Sequence, residues 1–321
     1  MIKNSFLSKP VYFVIIIVTL ISYQTITDRS IFPNVPKRIE LQNSILSGQI
    51  EAPYQYRVME PVLGYSVQYA LSFFVKNPLK IHTLSYQIII FLVFFGIYSL
   101  FYSYLRIFFD DVACMVGILI LAVLIPLGIT SIWEDGDYYT LLFFLIGMIC
   151  IFRSKDQFLP LIIFIGVYNR NQIVYLLVFY GIYLYEQKEL FTKRSIMIFI
   201  LSIIAFAVGT YSLRLYFGFK ESPYKISHEI RTNLDYWFQI LTVWSEQVII
   251  FIILSIAAYK RSPLFFRLSF ISLIAYVILF FFNSILSQLA KFLPAYLVMI
   301  PMSLEILTNQ KMKDYNKTAN R

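Results

Sequence analysis

Ala52-Pro53-Tyr54-Gln55-Tyr56-Arg57-Val58-Met59-Glu60-Pro61 sets an arginine beside tyrosines, with an acid one turn further on. A guanidinium fork suits a phosphate oxygen because it donates two parallel, charge-assisted hydrogen bonds. Tyr56 would support that contact, and Glu60 would be a counter-ion or a general base. The plainer alternative is an interfacial anchor, with Tyr and Arg at headgroup level. A second cluster, Trp133-Glu134-Asp135-Gly136-Asp137-Tyr138, places three carboxylates in four residues with no cation beside them. Such a turn could bind a divalent metal or supply a base, with Asp137 and Glu60 the candidate catalytic acids and Glu134 and Asp135 in support. It would equally serve as a solvated acidic turn.

Asn169-Arg170-Asn171 lies between two apolar half-segments. A charge there is expensive unless it faces a polar cavity, so Arg170 is a second candidate for a substrate phosphate, with Asn169 in support. Its structural alternative is an ion pair, with Glu246 as one partner. Lys291, in Gln288-Leu289-Ala290-Lys291-Phe292-Leu293-Pro294, is the third candidate cation, or else a residue that snorkels to the headgroups. No Gly-rich P-loop or dinucleotide pattern is present, which disfavours ATP-driven chemistry and nucleotide-sugar donors. Two histidines, His82 and His228, make a His-rich metal centre improbable. Cys114 and Cys150 both sit in apolar runs and read as packing residues.

The elements that must position these groups are membrane helices. Hydrophobic residues make up 59% of the 321-residue chain and charged residues 14%. The runs 81–105, 112–133 and 268–290 contain no Asp, Glu, Lys or Arg. Each is longer than the roughly 20 apolar residues that cross about 30 Å of hydrocarbon as a helix. Continuous rather than alternating apolar runs argue against a barrel. The expected architecture is an all-α, polytopic transmembrane bundle of about 9–11 segments. Residues 1–308 form one membrane domain and 309–321 a tail. The stretch 11–23, after Lys3 and Lys9, reads as an uncleaved first span.

Charge orients the bundle. The N-terminus, 153–157, 186–194, 260–267 and the tail hold 14 Lys/Arg against 4 Asp/Glu; 25–60, 131–137, 214–235 and 285–291 hold 9 against 10. The first set is expected in the cytoplasm, with both termini, and the second on the opposite face of an inner membrane. The positive excess therefore reports topology and does not call for a nucleic-acid partner. The loop 25–56 carries an amphipathic piece, 38–46, suited to the membrane surface. Parity leaves one of the segments between 57 and 130 without a full crossing, and 57–75, which begins with Arg57, Glu60 and Pro61, is the suspect. The segments 158–168 and 171–185 form a hairpin with Asn169-Arg170-Asn171 at its tip.

The order of these motifs, from Leu46-Ser47-Gly48-Gln49 and Tyr54–Pro61 through the Trp-acidic turn and Gly166-Val167-Tyr168-Asn169-Arg170 to the junction ending at Pro294, resembles a group of bacterial polytopic proteins related to GT-C-type glycosyltransferases. Where that group often has Asn-Arg-Glu at the hairpin and an Arg near the last span, this chain has Asn169-Arg170-Asn171 and Lys291. The resemblance implies a sugar transferase of polysaccharide biosynthesis in the cell envelope. It would use a polyprenyl-phosphate sugar donor and a glycan, lipid or protein acceptor on the non-cytoplasmic face. A repeat-unit polymerase, a transporter or flippase of lipid-linked sugars, and a structural subunit of an assembly complex are the competing expectations.

Overall fold

A computed structural model describes residues 9–129 and 131–313; the leading residues with Lys3 and the end of the tail lie outside the described part. Among the described residues there are helices and turns but no strand. The helices are α1 (Lys9–Ile26), α2 (Val35–Leu46), α3 (Met59–Ser72), α4 (Pro78–Leu105), α5 (Asp111–Gly128), α6 (Gly136–Phe152) and α7 (Leu159–Val167). They are followed by α8 (Leu176–Gln187), α9 (Lys193–Phe217), α10 (Ile226–Asp235), α11 (Trp237–Gln247), α12 (Ile249–Ala258), α13 (Leu264–Asn283) and α14 (Tyr296–Leu307). Side chains set several starts. Asn77, Asp110 and Thr192 each accept a hydrogen bond from the backbone N–H three residues on, at 3.2, 3.0 and 3.2 Å, and so cap α4, α5 and α9.

Among the described residues, seven helices are long and apolar enough to cross a membrane, and an eighth span results if α11 and α12, bent by 59° at Val248, count as one. The chain is thus a multi-pass membrane bundle with fewer full spans than the 9–11 expected from its apolar segments. The difference has a geometric cause. A 14-residue helix such as α3 rises about 21 Å, short of about 30 Å of hydrocarbon. α3 instead folds back along the start of α4, with Gln68 Nε2 3.1 Å from His82 Nδ1 and Gly64 against the Tyr86 ring. α7 and α8, of 9 and 12 residues, are likewise too short to span singly and form the two arms of the hairpin.

The loops separate to two ends. At one, Tyr56 Oη donates to the Gly218 carbonyl at 2.9 Å, Asn233 Nδ2 to that of Ser284 at 2.8 Å and Trp244 Nε1 to that of Leu286 at 2.9 Å. At the other, Gln310 donates to Asp110 at 2.7 Å, Ser262 to Glu305 at 2.6 Å, and Arg194 pairs with Asp156. These are the two sets of loops that differ in charge balance. Close helix approach depends on small residues, as is usual where lipid removes the hydrophobic drive between helices. Gly147 of α6 leaves room for Leu176 of α8, and Gly117 of α5 for Leu105 and Leu304.

Candidate functional site

The candidate residues meet at the first of these ends, around a small hollow of about 40 Å³. Its walls come from α2, the start of α3, the acidic turn and the hairpin tip. Arg57 ends a short 3-10 turn, its N–H bonded to the Tyr54 carbonyl at 3.0 Å; Met59 N–H then reaches the Tyr168 carbonyl at 3.1 Å. That second bond fastens the entry of α3 to the hairpin. The Arg57 guanidinium lies over the Tyr54 ring, 4.7 Å from its centre, and among the described residues no carboxylate comes within 4.0 Å of it. Burial, and after it the Arg170 charge, push the Arg57 group below the ordinary arginine range.

Arg170 and Asp137 are both buried and stand 3.0 Å apart. Arg170 also donates to the Trp133 carbonyl at 2.9 Å. Asn169 bonds the Gly136 carbonyl and Thr140 Oγ1, both at 2.8 Å, so the hairpin tip is sewn to the first turn of α6. Gly136 permits this approach, since a Cβ there would lie 3.0 Å from Arg170 Nε and 3.1 Å from Asn169 Oδ1. Arg170 therefore takes Asp137 as its partner, and Glu246 is exposed elsewhere. Lys291 does not line the hollow. Its ammonium donates to Ser284 Oγ and Gln288 Oε1 and lies in electrostatic reach of Asp137, Arg170 and Arg57.

The acidic turn is divided among separate tasks. Glu134 Oε2 accepts from Ser131 N–H at 3.0 Å within a capping box. Asp135 pairs with Arg38, and Asp137 with Arg170. No group of three or more His, Cys, Asp or Glu able to hold a metal ion occurs among the described residues. Of the two candidate bases, Asp137 is fully buried behind the wall, whereas Glu60 lines the hollow with 17% of its side chain exposed. Burial raises the Glu60 carboxyl above its ordinary value, against the opposing charges of Arg38 and Arg170.

Arg38 is the main residue that sequence reasoning passed over. It is buried, pairs with Asp135, stands 3.6 Å from Glu60 and lies over the Tyr86 ring. The amphipathic piece 38–46 turns Arg38, Gln42 and Ile45 inward. The spacing 38–42–45 was the available signal, because it marks one helical face. Tyr56 is also redirected. Its hydroxyl is taken by Gly218 O and Lys220 N–H, and the tyrosine that faces Arg57 is Tyr54.

What the arrangement can do is hold an anion. Two arginines are neutralised by carboxylates, while Arg57 keeps no such partner and Lys291 bonds only neutral oxygens. An accessible carboxylate with a raised pKa stands on the same wall. No family model matches the chain, and neither a curated protein nor a solved structure matches it. The glycosyltransferase expectation therefore rests on the residues themselves.

Proposed function

We propose that the protein is a membrane glycosyltransferase that moves a sugar from a polyprenyl-phosphate donor to an acceptor hydroxyl. The observation that carries this reading is Arg57, a guanidinium in a largely enclosed hollow, backed by an aromatic ring and lacking a carboxylate. An anionic phosphate is the group that gains most there, since preorganised cations in a low-dielectric site stabilise developing negative charge strongly. Arg57 and Arg170 would take the phosphate oxygens. Lys291 would add its field from behind Asp137, and Asp137 would keep Arg170 oriented.

The acceptor oxygen then attacks the anomeric carbon and the bond from that carbon to the phosphate oxygen breaks. Polyprenyl phosphate leaves and the acceptor proton passes to Glu60. Loop charge assigns this end of the bundle to the non-cytoplasmic face of the inner membrane.

The test uses full-length protein in lipid nanodiscs with radiolabelled polyprenyl-phosphate sugars and a mixture of glycan, lipid and peptide acceptors. Transfer by the wild type is expected. Arg57→Ala should lower it at least a hundredfold, and Glu60→Gln by about 10²–10⁴-fold, the usual worth of a general base. No transfer by the wild type, together with translocation of the labelled lipid in proteoliposomes, would replace the enzyme with a transporter.

A further inference from the structure

A second hollow, of about 510 Å³, lies beside the first and shares Leu41, Ile132 and Trp133 with it as a common wall. Its other side is a single face of α2 and the residue before it: Asn34, Lys37, Leu41 and Ser44 recur at intervals of three and four, with Glu40 beside them. Among the described residues Lys37 and Glu40 form no ion pair within 4.0 Å, so both keep hydrogen-bonding capacity for a visitor. Trp133 is 42% exposed, and its ring contacts Tyr54 at 4.5 Å between centres. Its backbone is held in place by Arg170 through the 2.9 Å bond to its carbonyl.

We infer that this second hollow is a carbohydrate-binding subsite and that it receives the acceptor as a neutral glycan; the acceptor role rests on the proposed transfer. A pyranose ring presents an apolar C–H face, which an exposed indole can cover, and a rim of hydroxyls that both donate and accept. One cation, one anion, an amide and hydroxyls around an aromatic plate supply both halves of that recognition without net charge. A lipid chain would cover Leu41, Ile50, Ile132 and Trp133 but would leave the Lys37 ammonium and the Glu40 carboxylate facing hydrocarbon, which is costly. The volume is of small-ligand size, whereas a protein acceptor would need a wider surface. Glu60 lines the first hollow, across the shared wall of Leu41, Ile132 and Trp133.

The experiment probes fluorescently labelled nanodisc protein on an array of neutral and charged oligosaccharides, with binding of radiolabelled polyprenyl phosphate measured in parallel. Saturable binding to neutral oligosaccharides is expected. It should weaken at least tenfold in Trp133→Ala and in Lys37→Ala/Glu40→Ala, and stay within about threefold of wild type in Trp133→Phe. The double variant should bind polyprenyl phosphate as the wild type does. Absence of binding to every neutral glycan, or binding indifferent to both the Trp133→Ala and the double variant, overturns the subsite. Stronger capture of peptides or glycolipids, spotted on the same array, than of any neutral oligosaccharide does so as well. Arg57→Ala separates the two ideas: loss of lipid-phosphate binding with glycan binding intact is expected. Glycan binding by a protein that transfers nothing would remove the reaction and leave the subsite standing.

Discussion

At the scale of single residues, Asp137 and Arg170 illustrate why buried charges come in pairs. Each is in a region where an isolated ion is heavily penalised, and removal of one partner strands the other at a cost of about 3–5 kcal/mol. Asp137→Asn and Arg170→Ala should each lower thermal stability in detergent sharply, while Asp137→Leu/Arg170→Met recovers much of it without restoring transfer. Equal stability of singles and double would mean the pair is solvated. Glu60 makes a different prediction. Its carboxyl is raised by burial, and a base acts only when deprotonated, so transfer should rise with pH along a limb centred above the ordinary value of 4.5. Glu60→Gln should lose that limb with the activity; an unchanged profile in the variant would remove Glu60 from the chemistry. Arg170 was legible as a candidate because a charge in an apolar setting demands an explanation, Arg57 because it stands beside tyrosines, and Asp137 because it ends a turn of three carboxylates. Arg38 was not, since it sits in a helix of polar composition where a charge looks inexpensive. Nor could the sequence choose between Tyr54 and Tyr56. They point to different sides of one tight turn, and only packing decides which side meets the hollow.

At the scale of elements, the site depends on how closely helices approach. Gly136 and Gly147 lie on α6, and an added Cβ has a different consequence at each. At Gly136 it would press on Arg170 Nε and Asn169 Oδ1, at 3.0 and 3.1 Å, which displaces the hairpin tip from the acidic turn. Gly136→Ala should therefore reduce transfer at least tenfold per folded molecule, measured below its melting temperature. At Gly147 the Cβ would fall 2.2 Å from Leu176 Cδ2, forcing α6 and α8 apart at about 1–3 kcal/mol. Gly147→Ala should lower the melting temperature and affect transfer mainly through loss of folded protein. The reverse assignment of effects, read by thermal unfolding beside a transfer assay, would contradict the packing described. The hairpin and its polar tip were legible from two short apolar runs around Asn169-Arg170-Asn171. The partner of that tip was not, because residues 29 positions apart or more meet only when α6 and α7 are packed.

At the scale of the whole molecule, the two sets of loops lie at opposite ends of the bundle. Glu51→Cys and Lys155→Cys, both at exposed positions, should react with a membrane-impermeant maleimide from opposite sides of intact vesicles. Labelling of both from one side would dismantle the topology and the shared hollow together. Cys114 is buried and Cys150 partly so, which keeps the background low. Composition and hydropathy were enough to establish a multi-pass helical membrane protein, because hydrocarbon tolerates only segments whose backbone groups are satisfied internally. Charge balance was enough to sort the loops into two sets, because that sorting is a property of each loop alone. The number of full spans, the inward face of α2 and the pairing of Arg38 with Asp135 and Arg170 with Asp137 were decided only by tertiary structure. A helix of given composition can span, fold back or turn its polar face inward, and what separates these outcomes is contact with residues remote in the chain.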